Sequence, residues 1–317
     1  MDDSKCPELY RRHRPTLLKH VVGQPEAVNK LKALLEKEGD FPHVLLLHGP
    51  SGTGKTTIAR ILKGKLKCGD LDYKEVNCAA VEGAIETARE IDSNMRLAAW
   101  KADGPRIWVF EEIQSWSRAG FAQQALLKMF EDTPHNVFFI LTTTDPDKLL
   151  PAIRTRCTKI ALKALARTDM QIVLKSVVEK EKATVTQAVI DKIAENAGGS
   201  PREALKQLEG VIKLKTEQEQ LNSILAEDTK RQAFDIVRAL LWQKSKWTDL
   251  QKIIREVGED EDWERFRHLV LKNAGNEILK DNGNHARAYL ILDAFADNWF
   301  TCGRSGLLKA CWEVAGQ

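Results

Sequence analysis

The sequence has no long apolar run. Its uninterrupted hydrophobic stretches are a handful of residues, far short of the ~20 that carry a helix across a bilayer. No apolar stretch follows Met1-Asp2-Asp3-Ser4-Lys5, which argues against a secretory leader. The six cysteines, Cys6, Cys68, Cys78, Cys157, Cys302 and Cys311, contain no C-x-x-C pair, so a structural zinc site has no support. Disulfide frameworks belong to small secreted domains; in this chain of 317 residues the cysteines read as reduced thiols of a cytoplasmic protein. An excess of one charge is also missing. The 48 basic and 45 acidic residues leave +3, which excludes a histone-like polycation and still allows a local basic groove. There is no internal repeat, low-complexity segment or Pro-rich linker.

The chain that remains has the composition of a folded protein, 43% hydrophobic and 29% charged, and length for two or three domains. Over its first half, apolar β-type runs at 44–48, 73–77, 107–110, 137–142 and 158–162 alternate with helical patterns at 26–37, 56–67, 83–101 and 120–132. Several runs are almost continuously apolar, as strands buried on both faces of a parallel sheet are. The alternation predicts an α/β fold: a five-stranded parallel sheet with flanking helices.

After Leu162 the strand signal stops. Thr168-Asp169-Met170-Gln171 has capping-box spacing ahead of an amphipathic run to about residue 182, and a second helix is predicted over 187–196. Gly198-Gly199 breaks it, and Ser200-Pro201-Arg202-Glu203 then places Ser at the N-cap, Pro at N1 and Glu at N3 of a third helix. The division predicted is an α/β domain over 1–162, a small helical domain over 163–215 and an all-α domain over 216–317. The last holds Trp242, Trp247, Trp263, Trp299 and Trp312.

Gly49-Pro50-Ser51-Gly52-Thr53-Gly54-Lys55-Thr56 fits G-x-x-x-x-G-K-[ST] in full, between a predicted buried strand and a predicted helix. Glycines let the backbone wrap phosphates with N–H groups inward, and the helix N-terminus adds partial positive charge. Lys55 is placed to reach the β- and γ-phosphates of ATP, and the Thr56 hydroxyl to ligate Mg²⁺, with Thr57 directly behind. The apolar run Ile107-Trp108-Val109-Phe110 ends in Glu111-Glu112, where a strand end lies beside such a loop. Glu111 is read as the metal carboxylate and Glu112 as the residue that orients the attacking water.

These segments, with four others, resemble the AAA+ ATPase subunits of sliding-clamp loaders: bacterial gamma/tau, eukaryotic replication factor C, and the phage large loader subunit. Tyr10-Arg11-Arg12-His13-Arg14-Pro15 and Val22-Gly23-Gln24 look like the adenine-side motif, with Tyr10, Arg11, Arg12, His13 and Val22 implied to line base and ribose. Thr142-Thr143-Thr144-Asp145-Pro146 looks like sensor 1, with Thr144 the best match. Pro151-Ala152-Ile153-Arg154-Thr155-Arg156-Cys157 looks like the Ser-Arg-Cys box, which implies that Arg156 is an arginine finger supplied to a neighbouring subunit. Gly199-Ser200-Pro201-Arg202 looks like sensor 2, which implies that Arg202 meets the ATP of its own subunit. The resemblance covers about residues 8–210. Three departures stand out: Glu111 where the family has Asp, Thr155 where it has Ser, and no zinc-binding cysteine cluster between Cys68 and Cys78. The missing cysteine cluster and the end at Gln317, without the long tail of tau-type subunits, suggest a compact phage or reduced bacterial version.

The resemblance implies an AAA+ domain, a helical lid and a helical collar, with a ring clamp, companion subunits in a hetero-oligomer (a pentamer in the family) and primer–template DNA as partners. It implies a clamp- and DNA-facing region near the helix that follows Glu112. Phe121, Ala125, Leu126, Met129 and Phe130 make one apolar face there, and Gln123, Gln124, Lys128 and Glu131 the opposite one. Arg89, Arg96, Lys101 and Arg118 are candidates for phosphate contact. Trp299-Phe300, Leu307-Leu308 and Trp312 suggest an apolar face on the collar. Two other readings stay open: a different AAA+ remodelling machine of helicase type, and a subunit that binds ATP with negligible hydrolysis.

Overall fold

The computed structural model describes residues 8–36, 41–81, 83–97, 99–100, 104–118, 120–241, 247–258, 262–281, 283–297, 299 and 302–316, without the side chains of 117–121. Cys6, Lys101, Trp242 and Phe300, and the side chains of Arg118 and Phe121, lie outside this description. The chain divides into two compact units, Met1–Glu217 and Gln218–Gln317.

The first unit is built on strands β1 (Val44–His48), β2 (Tyr73–Asn77), β3 (Arg106–Glu111), β4 (Val137–Thr143) and β5 (Thr158–Ala161). They form one sheet in the order β2-β3-β4-β1-β5, and every pairing is parallel. Alternate side chains serve opposite faces, as the pleat requires. Val44, Leu46, Trp108, Phe110, Phe139 and Leu141 feed one core, while Leu45, Leu47, Ile107, Val109 and Ile140 feed the other. Burial on both sides is why these runs read as continuously apolar.

Short α1 (Leu9–Arg12) precedes α2 (Pro25–Glu36); α2 and α3 (Lys55–Lys65) cover one face of the sheet with Leu31, Ile58 and Leu62. The other face is covered by α4 (Ala84–Met95), α5 (Gly120–Glu131) and α6 (Pro151–Arg156), through Ile91, Leu126, Met129 and Ile153. Helix α4 is shorter than its pattern predicts. Buried Arg106 donates to the carbonyls of Asn94 and Leu97, so its guanidinium closes the helix end. The Asp72 carboxylate lies 3.6 Å from Arg106 Nε and accepts the Trp100 N–H at 3.0 Å. On α5, Gln123 is buried rather than on the wet face, because its amide holds the backbone ahead of α6: it accepts from Leu150 N at 2.8 Å and donates to Lys148 O at 3.4 Å.

Helices α7 (Arg167–Lys180), α8 (Gln187–Asn196) and α9 (Pro201–Val211) complete this unit around Leu174, Ile193 and Leu208. The capping-box reading at Thr168 does not hold. Helix α7 starts one residue earlier, and its N-cap Ala166 has no side-chain acceptor. The Ser200 cap does form, its hydroxyl accepting the Glu203 N–H at 3.4 Å.

The second unit holds the five helices α10 (Glu217–Leu241), α11 (Trp247–Glu256), α12 (Trp263–Ile278), α13 (His285–Ala294) and α14 (Gly303–Ala315) around Ile236, Phe266, Ile291, Phe295, Trp299 and Leu307. Buried Arg287 donates to the carbonyls of Leu240 and Val314, and buried Arg267 to those of Phe295 and Ala296. Trp299 and Leu307 are core, while Trp312 is exposed and meets Trp247 edge to face at 4.8 Å. Among the described residues no helix is long and apolar enough to cross a membrane. Cys68, Cys78, Cys157, Cys302 and Cys311 are all free thiols. Burial pushes Cys68 up to about 11 and Cys78 and Cys157 to about 12, away from thiolate reactivity.

Candidate nucleotide site

The central strands end level with one another: His48 of β1 is in register with Thr143 of β4, and Phe110 of β3 with Leu141. Chain leaving the three strands therefore gathers at one edge, where ligands of open parallel sheets bind. The phosphate loop leaves β1 there. Gly49 has φ 147°, and a Cβ on it would sit 2.2 Å from the Leu162 carbonyl, so this position has no room for a side chain. Gly52 has φ 74°, and a Cβ on it would sit 2.1 Å from Ser200 Oγ and 3.2 Å from Arg202 Cβ. The start of α9 is thus seated on the tip of the loop, and Arg202 with it.

Inside the loop the Thr53 hydroxyl donates to the Pro50 carbonyl at 2.8 Å. Lys55 is only 6% exposed, and its ammonium donates to the Gly49 and Pro50 carbonyls at 2.8 and 2.9 Å. Burial holds its pKa below the usual lysine range; the Glu112 carboxylate opposes that shift and the Arg202 charge adds to it. At the helix start the Thr56 hydroxyl donates to Glu111 Oε1 at 2.6 Å. A hydroxyl and a carboxylate so close form a hard-oxygen pair of the kind Mg²⁺ takes alongside phosphates. Among the described residues no group of three or more His, Cys, Asp or Glu is placed to hold a metal ion. Thr57 is half-buried one position further along α3.

Glu112 follows β3 with φ 53°, a left-handed conformation that costs a side-chain-bearing residue about 1 kcal/mol or more. Its carboxylate accepts from Gln114 Nε2 at 2.5 Å. The same nitrogen donates to Thr144 Oγ1 at 3.0 Å, and Gln114 Oε1 accepts from the Thr143 hydroxyl at 2.7 Å. The structure therefore brings together Lys55, Thr56, Glu111, Glu112, Thr144 and Arg202. Gln114 and Ser200 join them without having been singled out as site residues in the sequence. The signal for Gln114 is a polar residue two positions past the acidic pair, between residues that turn out to be buried, Ile113 and Trp116.

The adenine-side segment is held by the helices after β5. Arg12 donates to Glu181 Oε1 at 3.1 Å and Oε2 at 2.8 Å, and His13 Nε2 lies 2.5 Å from Oε1. The His13 hydrogen bond, first, and the Arg12 guanidinium hold the Glu181 carboxyl below its ordinary range. Arg11 pairs with Glu8 at 2.8 Å, and its guanidinium also lies 5.6 Å from the Tyr10 ring centroid, with Arg202 at 5.8 Å and Lys206 at 6.0 Å. Val22 is half-buried next to Gln24, whose amide donates to Lys163 O at 2.7 Å and accepts from Lys163 N at 3.0 Å.

Arg156 ends α6 and pairs with Glu131; both side chains are well exposed, at 39% and 53%. Behind it Cys157 is buried and its thiol donates to the Ile153 carbonyl at 3.0 Å. Arg89, Gln124 and Lys128 line a groove between α4 and α5 over Ile85 and Met129, and Arg96 pairs with Asp92 and Asp132.

Residues 45–165 match the ATPase family associated with various cellular activities (AAA). The DNA polymerase III gamma subunit of Buchnera aphidicola subsp. Schizaphis graminum is 31% identical over 325 residues, spanning 88% of this chain and 88% of that protein. The chain belongs to the AAA ATPases of the DNA polymerase III gamma/tau family. The gamma/tau subunit of Mycobacterium tuberculosis is 32% identical over 227 residues, 64% of this chain and 38% of that protein. The Bacillus subtilis tau subunit is 30% identical over 225 residues, 64% of this chain and 39% of that protein. The chain thus matches well under half the length of these two relatives. A solved RuvB variant from Thermotoga maritima aligns with TM-score 0.59 and 17% identity over 87% of this chain and 91% of that one. At that identity the likeness shows the AAA+ fold: a parallel-sheet domain followed by helices. Membership of the family implies ATP binding and hydrolysis.

Proposed function

We propose that this chain is an ATPase subunit of a DNA polymerase sliding-clamp loader. ATP binding would assemble a spiral of this chain and companion subunits that holds an open ring clamp. Primer–template DNA would then trigger hydrolysis, clamp closure and release, in the cytoplasm where replication occurs. The observation that carries the reading is the kinship with a polymerase III gamma subunit over nearly the whole of both chains, combined with a complete phosphate loop facing Glu111 and Glu112.

In this reading Lys55 turns from the loop carbonyls to the β- and γ-phosphates. Glu112 orients a water whose oxygen attacks the γ-phosphorus. The bond from the γ-phosphorus to the β–γ bridging oxygen breaks, giving ADP and phosphate, and Glu112 receives the water's proton. Thr56 and Glu111 would hold Mg²⁺, which when bound neutralises phosphate charge. Arg202 reports the nucleotide to its own lid, seated as it is on Gly52. Arg156 leaves Glu131 to place a planar cation on the neighbour's γ-phosphate, so that turnover depends on assembly. The groove beside Arg89 and Lys128 is a surface for the clamp or DNA.

The test is retention by a tagged Glu112→Gln chain in ATP, since loss of the base should trap the bound assembly. A ring clamp and companion subunits retained with ATP and absent with Lys55→Ala support the reading. A homohexamer with no clamp would move the assignment to a remodelling motor. An assembled wild-type complex that binds ATP without turnover, and gains it with Glu111→Asp, would make this a nucleotide-binding scaffold.

A further inference from the structure

The turn Ile113–Arg118 follows β3 and is anchored in the core by Ile113 and Trp116, the latter edge-on to Phe110 at 5.7 Å. That anchoring leaves Gln114 facing the other way, into the cluster formed by Glu112, Thr143 and Thr144. The hydrogen inventory fixes its orientation. The Glu112 carboxylate can only accept, so the Nε2 end of Gln114 faces it and Thr144, and both of its protons are used. The Oε1 end then accepts the proton of the Thr143 hydroxyl, whose oxygen also accepts the Asp145 N–H at 3.0 Å. A flipped amide would set its oxygen against the carboxylate with no proton between them. Because Thr144 Oγ1 accepts from Gln114, its hydroxyl proton is free to be donated on the exposed side of the residue.

We infer that Gln114 is a positioning residue for hydrolysis: one side-chain amide holds the Glu112 carboxylate and sets the Thr144 hydroxyl, so that base and sensor act as a unit. The inference rests on the proposed role of Glu112 as the base. It also accounts for the left-handed backbone at Glu112, which needs surrounding contacts to persist. The charged and titratable neighbours are Lys55 on α3, Glu111 on β3 and Cys78 after β2. None of them offers a second amide to replace Gln114.

The experiment compares wild type, Gln114→Ala, Gln114→Glu and Glu112→Gln as full-length chains in the assembled complex, where turnover is expected. ATP affinity, kcat and KM are measured. Gln114→Ala should lower kcat by about 10–100-fold, as misplacement of a reacting group does, while ATP affinity stays within about twofold. Gln114→Glu is nearly isosteric, so it keeps the packing; its carboxylate has no proton to donate and repels Glu112, so kcat should fall at least as far as in Gln114→Ala. The combined Gln114→Ala/Glu112→Gln variant should be no slower than Glu112→Gln alone. An independent readout is the ¹⁵N side-chain amide signal of Gln114, assigned by its loss in Gln114→Ala. It should move between wild type and Glu112→Gln, since the acceptor at 2.5 Å changes from a carboxylate to an amide. Wild-type kcat in both Gln114 variants, with Glu112→Gln inactive, would overturn the inference and leave the base assignment standing. Full turnover in Glu112→Gln would overturn both. An amide signal insensitive to Glu112 would sink the coupling.

Discussion

Gly52→Ala probes the seat of α9 on the phosphate loop. An alanine at φ 74° costs about 1–2 kcal/mol in left-handed backbone alone. Its methyl would also lie 2.1 Å from Ser200 Oγ, on a residue pinned as a helix cap, so the neighbour cannot simply rotate away. Overpacking of that kind adds about 1–3 kcal/mol, giving about 2–5 kcal/mol in all. The two contributions separate in a double-mutant cycle with Ser200→Gly, which deletes Oγ and Cβ and costs the cap only a few tenths of a kcal/mol. In that background Gly52→Ala should cost only its backbone share, a coupling of about 1–3 kcal/mol. The assay is urea denaturation of the full chain followed by hydrogen exchange at β1 and β3 amides, with the Gln218–Gln317 unit as an internal reference. ATP affinity of each variant is measured alongside. Additive costs, within about 0.5 kcal/mol, would mean that the lid start does not press on the loop in solution and would refute the reasoning.

Arg156→Ala breaks a solvent-exposed pair with Glu131 and an exposed hydrogen bond to the Ala152 carbonyl, so it should change stability by no more than about 1 kcal/mol and leave ATP affinity unchanged. Turnover of the assembled complex should collapse, and full turnover there would remove the finger assignment. Asp72→Ala removes the carboxylate beside the Arg106 guanidinium, whose side chain is 6% exposed and keeps the Asn94 and Leu97 carbonyls, and should cost about 1–3 kcal/mol by denaturation. A loss below about 1 kcal/mol would show that the pair is not buried in solution. In the second unit, hydrogen bonds from the Arg267 side chain and then the Trp299 backbone lower the Glu264 carboxyl to about 2. A depressed carboxylate stabilises the fold above its unfolded value of 4.5, and that contribution disappears as pH falls toward about 2. Melting of the second unit should therefore drop across that window in wild type and flatten in Glu264→Gln. An equal acid dependence in the two would contradict the assignment.

The sheet was legible because each central strand is buried on both faces and so reads as an unbroken apolar word. The phosphate loop was legible because its glycines and Lys55 do one chemical job at a fixed spacing. What stayed hidden depends on contacts between distant segments. Gln123 looked like a wet-face residue because its position on α5 says nothing of the carbonyl and N–H it meets ahead of α6. The predicted helix over 83–101 ran past its end because the residue that closes it, Arg106, belongs to the following strand. Thr168 offered capping-box spacing, but the helix had already begun one residue earlier without a side-chain cap. The basic cluster at Arg11, Arg12 and His13 gave no hint of Glu181, 169 residues beyond Arg12, which accepts from Arg12 and lies against His13. Gln114 is a single polar residue in a turn, and only the hydroxyls that surround it show its use.

The buried thiol of Cys157 and the core residue Ile153 tie down a helix of only six residues, with Arg156 at its tip. Such a stub is a rigid bracket. Its backbone freedom was surrendered during folding, so an acceptor that draws Arg156 from Glu131 and the Ala152 carbonyl must offset two exposed contacts and the rotamer freedom of one side chain, the latter about 2 kcal/mol at most. A neighbouring chain would therefore meet a cation whose point of attachment is already fixed, and the distance it can sweep is the length of its own side chain.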